Sequence, residues 1–587
     1  MEKWFVAAKK ADFDKWGADY RISPVLARII RNRDITDEEQ LRMFLNGGLE
    51  DCHSPWLLKD MEKAVDIVLK AIDQGKKIRV IGDYDVDGIC SAYILTKGFR
   101  ILGADTDTAI PHRIHDGYGL NDHLIELAAE DGIDLIVTCD NGIAQDAQIT
   151  LAAQKGMGVI VTDHHEVPFE EIHGRRQELP PPALAVVDPK QADCPYPFKG
   201  ICGGVVAWKF LLALLEKTGN KVLSRAMDEF LTFAALATVC DVMELKDENR
   251  IIVKEGLKRI RHTENEGLRA LIEVNGLTPD SISAYHFGFV LGPCLNATGR
   301  LDSAKRALEL LGSHTSAEAM NAARALKELN DSRKNLTVEG VTQAEHYIAE
   351  HHLEKDPVML IFLPDVHESI AGIIAGRIRE KYNHPVFLLT RSEDGVKGSG
   401  RSIEAYHMYE HMTRQKKYFI KFGGHKLAAG LSMREEDIEA LRRDFNEDSG
   451  LTEEDFIPRV HIDVPMPFSY ADEAFAEELK KLEPFGVGNP KPLFAQKNLI
   501  FLSGKKIGAA GNFAKFQVLT PEGKKEQVLF FGDLCKFINF LDQKFGSGAG
   551  EKIFIHNCEY RLSVVYELSL NEFRGQKERQ FVMKYYC

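Results

Sequence analysis

The residues of this sequence that can do chemistry are mostly acidic, and they follow short apolar runs. Ile78–Ile81 leads into Gly82-Asp83-Tyr84-Asp85-Val86-Asp87-Gly88, Leu135–Val137 into Asp140-Asn141-Gly142, and Val159–Val161 into Asp163-His164-His165. So many carboxylates in one cleft cannot all stay ionised without cations, because repulsion raises their pKa values. Hard oxygen donors with one or two imidazoles suit Mg²⁺ or Mn²⁺ better than zinc. A shared carboxylate can bridge two such ions about 3.5–4 Å apart, an arrangement common in phosphoryl hydrolysis.

Each acid also has a plainer reading. An Asp after a strand often caps a helix or closes a turn, and Asp188 before Pro189 reads that way. Asp83-x-Asp85-x-Asp87-Gly88 imitates the start of an EF-hand loop. That loop needs a Glu at its twelfth position, where this chain has Ile94, and a helix before it, where this chain has a strand pattern.

The elements that must hold these residues are legible as well. Ile78–Ile81, Leu135–Val137, Val159–Val161 and Leu184–Val187 are too short for helices and lack strict alternation, as strands buried on both faces do. Cys90–Arg100, Asn121–Glu130 and Ile143–Gln154 have helical texture and separate them. The alternation predicts an α/β domain with a parallel sheet, whose strand ends form a ligand crevice.

Five regions are expected: an N-terminal helical segment (1–75), an α/β catalytic domain (76–300), connecting helices (301–354), a smaller α/β domain (355–450) and a C-terminal β-barrel (451–587). Thr36-Asp37-Glu38-Glu39 and Thr315-Ser316-Ala317-Glu318 read as capping boxes. Val358–Leu363 and Val386–Leu389 are the strand candidates of the smaller domain, with Gly395–Gly400 and Gly423-Gly424 as tight loops. Arg414, Lys416, Lys417, Lys421 and Lys426 lie among Tyr418, Phe419 and Phe422, a mixture that suits a single strand or, equally for the aromatics, a core.

Composition excludes little. The chain has 587 residues, 44% hydrophobic and 28% charged, as in ordinary globular proteins. A net charge of -14 argues against a whole-surface grip on nucleic acid, but not against a locally basic channel. Ten scattered cysteines without a CxxC pair speak against a zinc ribbon and for a reducing compartment. No run approaches a membrane span, so a cytoplasmic location is expected.

Asp163-His164-His165 resembles the motif that names the DHH phosphoesterases. Asp83-Tyr84-Asp85-Val86-Asp87-Gly88 is similar to the first motif of that family, Asp140-Asn141-Gly142 to the second, and Asp241 in Leu236-Ala237-Thr238-Val239-Cys240-Asp241 to the fourth. Ile110-Pro111-His112-Arg113, Gly117-Tyr118-Gly119-Leu120 and Leu295-Asn296-Ala297-Thr298-Gly299-Arg300 with Leu329-Asn330 and Arg333 resemble blocks of RecJ exonucleases. Gly398-Ser399-Gly400-Arg401-Ser402 and Gly423-Gly424-His425 resemble motifs of the DHHA1 domain. The Pro484–Pro490 block and Asn571-Glu572-Phe573-Arg574-Gly575 resemble the RecJ OB-fold. Cys294 stands where the family often has Arg, and His367-Glu368-Ser369-Ile370 is a loose version of a family motif.

The resemblance implies two divalent cations, Mn²⁺ or Mg²⁺. Asp83, Asp85 and Asp140 would hold one, and Asp87, Asp140, His164 and Asp241 the other. It places His165, Arg401 and His425 at the reacting phosphate, and Arg113, Asn296, Arg300, Ser399 and Gly424 along the substrate. It implies a monomeric 5′→3′ exonuclease that releases mononucleotides from single-stranded DNA in repair and recombination, with a single-strand DNA-binding protein and a RecQ-like helicase as partners. Two rivals are a DHH phosphodiesterase acting on short oligoribonucleotides or cyclic dinucleotides, and a non-catalytic replication scaffold. The C-terminal barrel counts against the first and the intact acidic motifs against the second.

Overall fold

The computed structural model describes residues 2–113, 116–117, 119–172, 175–392, 395–573 and 576–587. Tyr118 of the Gly117–Leu120 block, and Arg574 and Gly575 of the C-terminal block, lie outside them. The chain forms two compact units, one of residues 48–457 and one that joins 1–47 to 458–587.

In the first unit, strands β1 (Lys77–Ile81), β2 (Asp105–Ala109), β3 (Leu135–Cys139), β4 (Gly158–Thr162) and β5 (Ala185–Val187) form a parallel sheet in the order β2-β1-β3-β4-β5. Ile78, Val80, Leu135, Val137 and Ile160 face one apolar core. Ile81, Ile136, Val159 and Val161 face another, so the sheet is buried on both sides. This explains the near-continuous apolar runs. The sequence reading missed β2: its Asp-Thr-Asp-Thr-Ala has no apolar run because it is an edge strand, held in part by Arg79 on Asp107 at 2.6 Å.

The helices that frame the crevice are α1 (Val86–Ile101), α2 (Gly203–Thr218), α3 (Lys221–Cys240) and α4 (Gly292–Leu301). A 36-residue helix, α5 (Ser316–His351), follows. Thr315 caps it by accepting from the Glu318 N–H at 3.3 Å.

The second α/β segment holds β6 (Met359–Phe362), α6 (Glu368–Tyr382), β7 (Val386–Ser392), β8 (Gly395–Arg401), β9 (Phe419–Gly424) and β10 (Ala428–Met433), in the order β9-β10-β8-β7-β6. The expected tight loop at Gly395–Gly400 is instead strand β8, in the middle of this sheet. Its glycines serve close packing rather than turning. A Cβ on Gly398 would collide with Leu389, and one on Gly400 would come within 2.7 Å of Met408 and 2.9 Å of Phe387. Gly423-Gly424 likewise ends strand β9.

In the other unit, β11 (Val464–Pro465), β12 (Phe494–Ile507), β13 (Phe513–Leu519), β14 (Lys525–Phe530), β15 (Tyr560–Phe573) and β16 (Gln576–Tyr586) form one sheet. Pairing of β12 with β15 closes it into a five-stranded barrel. The stretch read as one N-terminal helical segment is divided between the units. Lys3–Val6 pairs in parallel with Arg459–Ile462, and Trp16, Leu26, Ile30, Leu41 and Phe44 share the barrel's core. Residues 48–75 belong to the first unit. The helix near Thr36 starts one residue later than its capping box suggests, with Asp37 accepting from the Gln40 N–H at 2.8 Å. Among the described residues, no helix is long and apolar enough to cross a membrane.

Candidate active site and metal centre

A β2-β1-β3-β4-β5 order reverses direction between β1 and β3, and ligands of open α/β sheets sit at that switch point. Asp83 and Asp85 leave β1 there, Asp140 leaves β3, and His164 leaves neighbouring β4. Asp241 reaches the same place from the end of α3. Ligand atoms of Asp83, Asp85 and Asp140 lie within 4.8 Å of one another, and so do those of Asp87, His164 and Asp241. His164 Nε2 is 3.0 Å from Asp140 Oδ1, 3.5 Å from Asp87 Oδ2 and 3.7 Å from Asp241 Oδ2.

Local structure holds each group in place. Asp85 satisfies both of its readings: it caps α1, accepting from the N–H groups of Asp87 at 2.9 Å and Gly88 at 3.1 Å, and it still faces Asp83 and Asp140. Asp140 sits in the left-handed region (φ 60°). Asn141, buried behind it, pins that turn by donating to the carbonyls of Ile81 at 3.0 Å and Cys139 at 2.9 Å. Asp87 accepts from the N–H groups of Gly203 and Gly204, both at 2.7 Å, at the positive end of α2. A Cβ on Gly203 would stand 2.8 Å from Asp140 Cβ, so only glycine lets this helix end approach. The sequence reading passed over Gly203-Gly204 and gave Asn141, though part of the Asp140-Asn141-Gly142 motif, no role of its own. The signal for the first was a glycine pair opening an apolar helix.

Asp163 is the acid of its motif that does not join the cluster. Its Oδ1 accepts from the His164 N–H at 2.7 Å and contacts His165 Nδ1 at 2.7 Å, and its Oδ2 accepts from the Ile143 N–H at 2.9 Å. It therefore orients the His165 imidazole and pins the backbone of His164. Asp188 closes an Asx turn on the Lys190 N–H at 2.7 Å, as its plainer reading has it.

Electrostatics carry the same message as geometry. Burial pushes Asp140 well above the ordinary carboxylate range, and Asp87, Asp85, Asp83 and Asp241 add to the shift. Burial and Asp85 raise Asp83, whose Oδ1 is buried without a hydrogen-bond partner among the described residues. Burial, then Asp87, pushes Asp241 up to about 8. Burial lowers His164 to about 4, which keeps its imidazole neutral, as a metal ligand must be. For His165 burial opposes the charged form, but Asp163 outweighs it and holds the ring up to about 9. Oxygen donors that repel one another, beside a neutral imidazole, fit divalent cations.

The pH dependence of the metal-free protein follows. Between about pH 6.5 and 8, folded Asp241 and His165 keep protons that the unfolded chain has released, while His164 is neutral in both states. Stability linked to a raised pKa is lost as pH climbs. In EDTA, the melting temperature is expected to fall by roughly a few degrees over that range, and Mn²⁺ should restore it at the upper end. Calorimetry in which the EDTA sample melts higher at pH 8 would contradict this.

Facing the acids is a gathering of guanidinium groups. Burial lowers Arg300 to about 10, and the charges of Arg113, Arg333 and Arg401 push the same way. Burial also lowers Arg401, with Arg113 and Arg379 contributing. Arg300 donates to the Ser369 carbonyl at 2.6 Å, Arg401 to the Gly400 carbonyl at 2.7 Å, and Arg113 lies 4.7 Å over the Tyr84 ring. Arg113, Tyr84, Ser369, Lys397 and Ser399 line a cavity of about 230 Å³. Mutually repelling, half-desolvated cations make an anion site. Asn296 is half-buried on α4. Gly424 (φ 149°) ends β9, and His425 follows it, exposed, its N–H donating to the Ala428 carbonyl at 2.8 Å. His425 belongs to none of the groups among the described residues whose ligand atoms are placed to hold a metal ion.

The structure decides one open sequence reading and changes another. Lys417 pairs with Asp444 at 3.0 Å and Lys426 with Glu404 at 2.7 Å, while Tyr418, Phe419 and Phe422 pack on the β8–β10 core. The aromatics of that basic segment are thus core residues. Cys294 is fully buried, and Asn330 donates to its Sγ at 3.4 Å. It does not stand at a surface where an arginine would simply add a phosphate contact. Cys294→Arg is therefore expected to destabilise the protein by at least about 1–3 kcal/mol through overpacking, rather than to tighten DNA binding. An unchanged melting temperature would refute this.

Comparison with known proteins completes the picture. The profile of the DHH family, N-terminal domain, matches residues 77–238, that of the DHHA1 domain 355–448 and that of the RecJ OB domain 462–585. The single-stranded-DNA-specific exonuclease RecJ of Bacillus subtilis is 33% identical over 96% of this chain and 68% of its own length. The chain belongs to the RecJ family. The RecJ of Salmonella typhimurium is also 33% identical, over 96% of this chain and 95% of its own length. The crystal structure of Thermus thermophilus RecJ in complex with Mn²⁺ superposes with a TM-score of 0.81 at 28% identity, covering 100% of this chain and 79% of that one. The RecJ architecture of a DHH domain, a DHHA1 domain and an OB barrel is thus present throughout.

Proposed function

We propose that this protein is a metal-dependent exonuclease that removes mononucleotides from the 5′ end of single-stranded DNA. The observation that carries the reading is the convergence of two acidic groups, sharing the neighbourhood of Asp140, with the guanidinium groups of Arg113, Arg300 and Arg401. Mn²⁺ and Mg²⁺, which neighbouring RecJ structures contain, suit this donor set.

Asp83, Asp85 and Asp140 would hold one cation, and Asp87, Asp140, His164 and Asp241 the other. When bound, two such ions supply an activated water and neutralise phosphate charge. The protein's own groups do the rest. His165, charged through Asp163, donates to the phosphate being cut. Arg401 and His425 stabilise charge developing on it. Arg113, Asn296, Arg300, Ser399 and Gly424 hold the neighbouring backbone. On family grounds we place the protein in the cytoplasm, as a monomer, in repair and recombination alongside a single-strand DNA-binding protein and a RecQ-like helicase.

The test is digestion of 5′-labelled and 3′-labelled single strands and of blunt duplex, with Mn²⁺ or EDTA. The 5′ label should appear at once as mononucleotide, the 3′ label only late, and duplex and EDTA samples should persist. Early release of the 3′ label would overturn the polarity, and hydrolysis in EDTA would overturn the chemistry.

A further inference from the structure

The turn before α4 has a feature that none of the roles above uses. Phe287–Leu291 is a wide π-helical turn, a rare form that concentrates at functional sites. It lies against the end of α3: the Cys240 thiol donates to the Phe287 carbonyl at 3.5 Å, and a Cβ on Gly288 would touch Val239 at 3.4 Å. The residue after Cys240 is Asp241, a member of the acidic cluster. At its other end the turn runs directly into the helix of Asn296 and Arg300. It therefore joins the cluster to the arginine side of the site.

Phe289 stands on this turn and Tyr285 on the short helix just before it (Ala284–His286), 68% and 62% exposed. Their rings stack on one another, with centroids 5.1 Å apart and planes 24° from parallel. Val242, beside Asp241, is 66% exposed as well. Single exposed apolar residues are ordinary. Two stacked aromatic rings, carried by a segment that touches Val239 and Cys240 just before Asp241, form a prearranged flat surface open to solvent.

We propose that Tyr285 and Phe289 form a stacking platform for a nucleobase of the strand being degraded, beside Asp241. The inference rests on the nuclease reading above. A base is the occupant that fits. Every base presents a π-face, so stacking grips a strand without reading its sequence, as removal of any nucleotide in turn requires. The platform is uncharged, so it complements the arginines, which take phosphates, and it works where salt screens them. A chain with a net charge of -14 gains from such a non-ionic hold.

The experiment uses the full-length protein with Mn²⁺ and measures steady-state kinetics on oligonucleotides with one abasic site stepped along the 5′ segment. The variants are Tyr285→Ala with Phe289→Ala, and the ring-keeping Tyr285→Phe with Phe289→Tyr. The alanine pair should raise KM about 5- to 150-fold with little change in kcat, and the ring-keeping pair should behave as the parent. In the parent, one abasic position should raise KM by a similar factor, and the alanine pair should lose sensitivity at that position alone. An unchanged KM for the alanine pair, or a parent KM indifferent to every abasic position, overturns the platform while leaving the nuclease reading intact. A parent inactive on every strand overturns both. Exposure of both rings makes unfolding an unexpected outcome, and the abasic scan of the parent decides the matter without any variant.

Discussion

Asp140→Asn is expected to abolish hydrolysis while leaving the metal-free protein at least as stable as the parent. The two halves have one cause. Asp140 lies in the group with Asp83 and Asp85 and is also 3.0 Å from His164, so both proposed ions lose a ligand when its charge is removed. The loss should exceed the roughly 10²–10³-fold that removal of one transition-state donor costs. Without metal, the ionised carboxylate is opposed by burial and by four neighbouring acids, so an amide relieves repulsion. Asparagine is the informative replacement because residue 140 has φ 60°, where asparagine is tolerated and alanine is strained. Metal titration followed by calorimetry and single-turnover digestion test both halves. Near-parental turnover at saturating Mn²⁺ would sink the bridging role, and a large fall in metal-free stability would show that Asp140 is structural.

The acidic motifs were legible because a parallel sheet concentrates chemistry at the carboxyl ends of its strands. Once Ile78–Ile81, Leu135–Val137 and Val159–Val161 were read as strands, the residues after them had to share an edge. Strand boundaries held to within a residue or two because each run is buried on both faces. Asp241 was different. It sits at the end of a 20-residue helix, distant in sequence, and no periodicity brings it to the sheet edge; only family resemblance pointed to it.

What the sequence hid has definite reasons. Gly395–Arg401 read as a loop because glycine usually signals freedom, whereas here Gly398 and Gly400 yield space to Leu389, Met408 and Phe387. Cys294 read as a lost surface contact because α4 is amphipathic only in three dimensions: the residue faces Asn275 and Asn330. The join of residues 1–47 to the barrel is a contact over more than 400 residues of separation, for which a single sequence carries no local signal. The barrel itself was legible from its turn-rich, β-branched texture, since that pattern arises within each strand.

That long-range join changes how the barrel's role must be tested. Removing residues 458–587 alone is expected to yield aggregated protein. Arg33 would lose Asp463, its ion-pair partner at 2.6 Å, and the Pro490 carbonyl at 2.9 Å; Trp16, Leu26, Ile30 and Phe44 would lose their core. The uncovered charge can be solvated, but the stripped apolar face cannot, and its exposure drives association. Removing 1–47 as well leaves residues 48–457, which keep their own cores and should fold cooperatively. Residues 451–457 belong with that fragment, because Leu451 and Phe456 pack on its smaller domain and Phe456 stacks on His384 at 4.0 Å. If the barrel captures DNA through stacking and backbone charge, each lost base contact removes about 1–3 kcal/mol, and KM for long strands should rise on the order of 10²-fold or more. Short oligonucleotides, which Arg113, Arg300 and Arg401 are proposed to hold, should be cut at a kcat close to that of the full chain. Steady-state kinetics of the folded fragment on a short and a long strand make the comparison. An equal loss of kcat on both lengths would mean that the barrel belongs to the catalytic machinery, and a well-folded protein lacking 458–587 alone would mean that residues 1–47 do not depend on it.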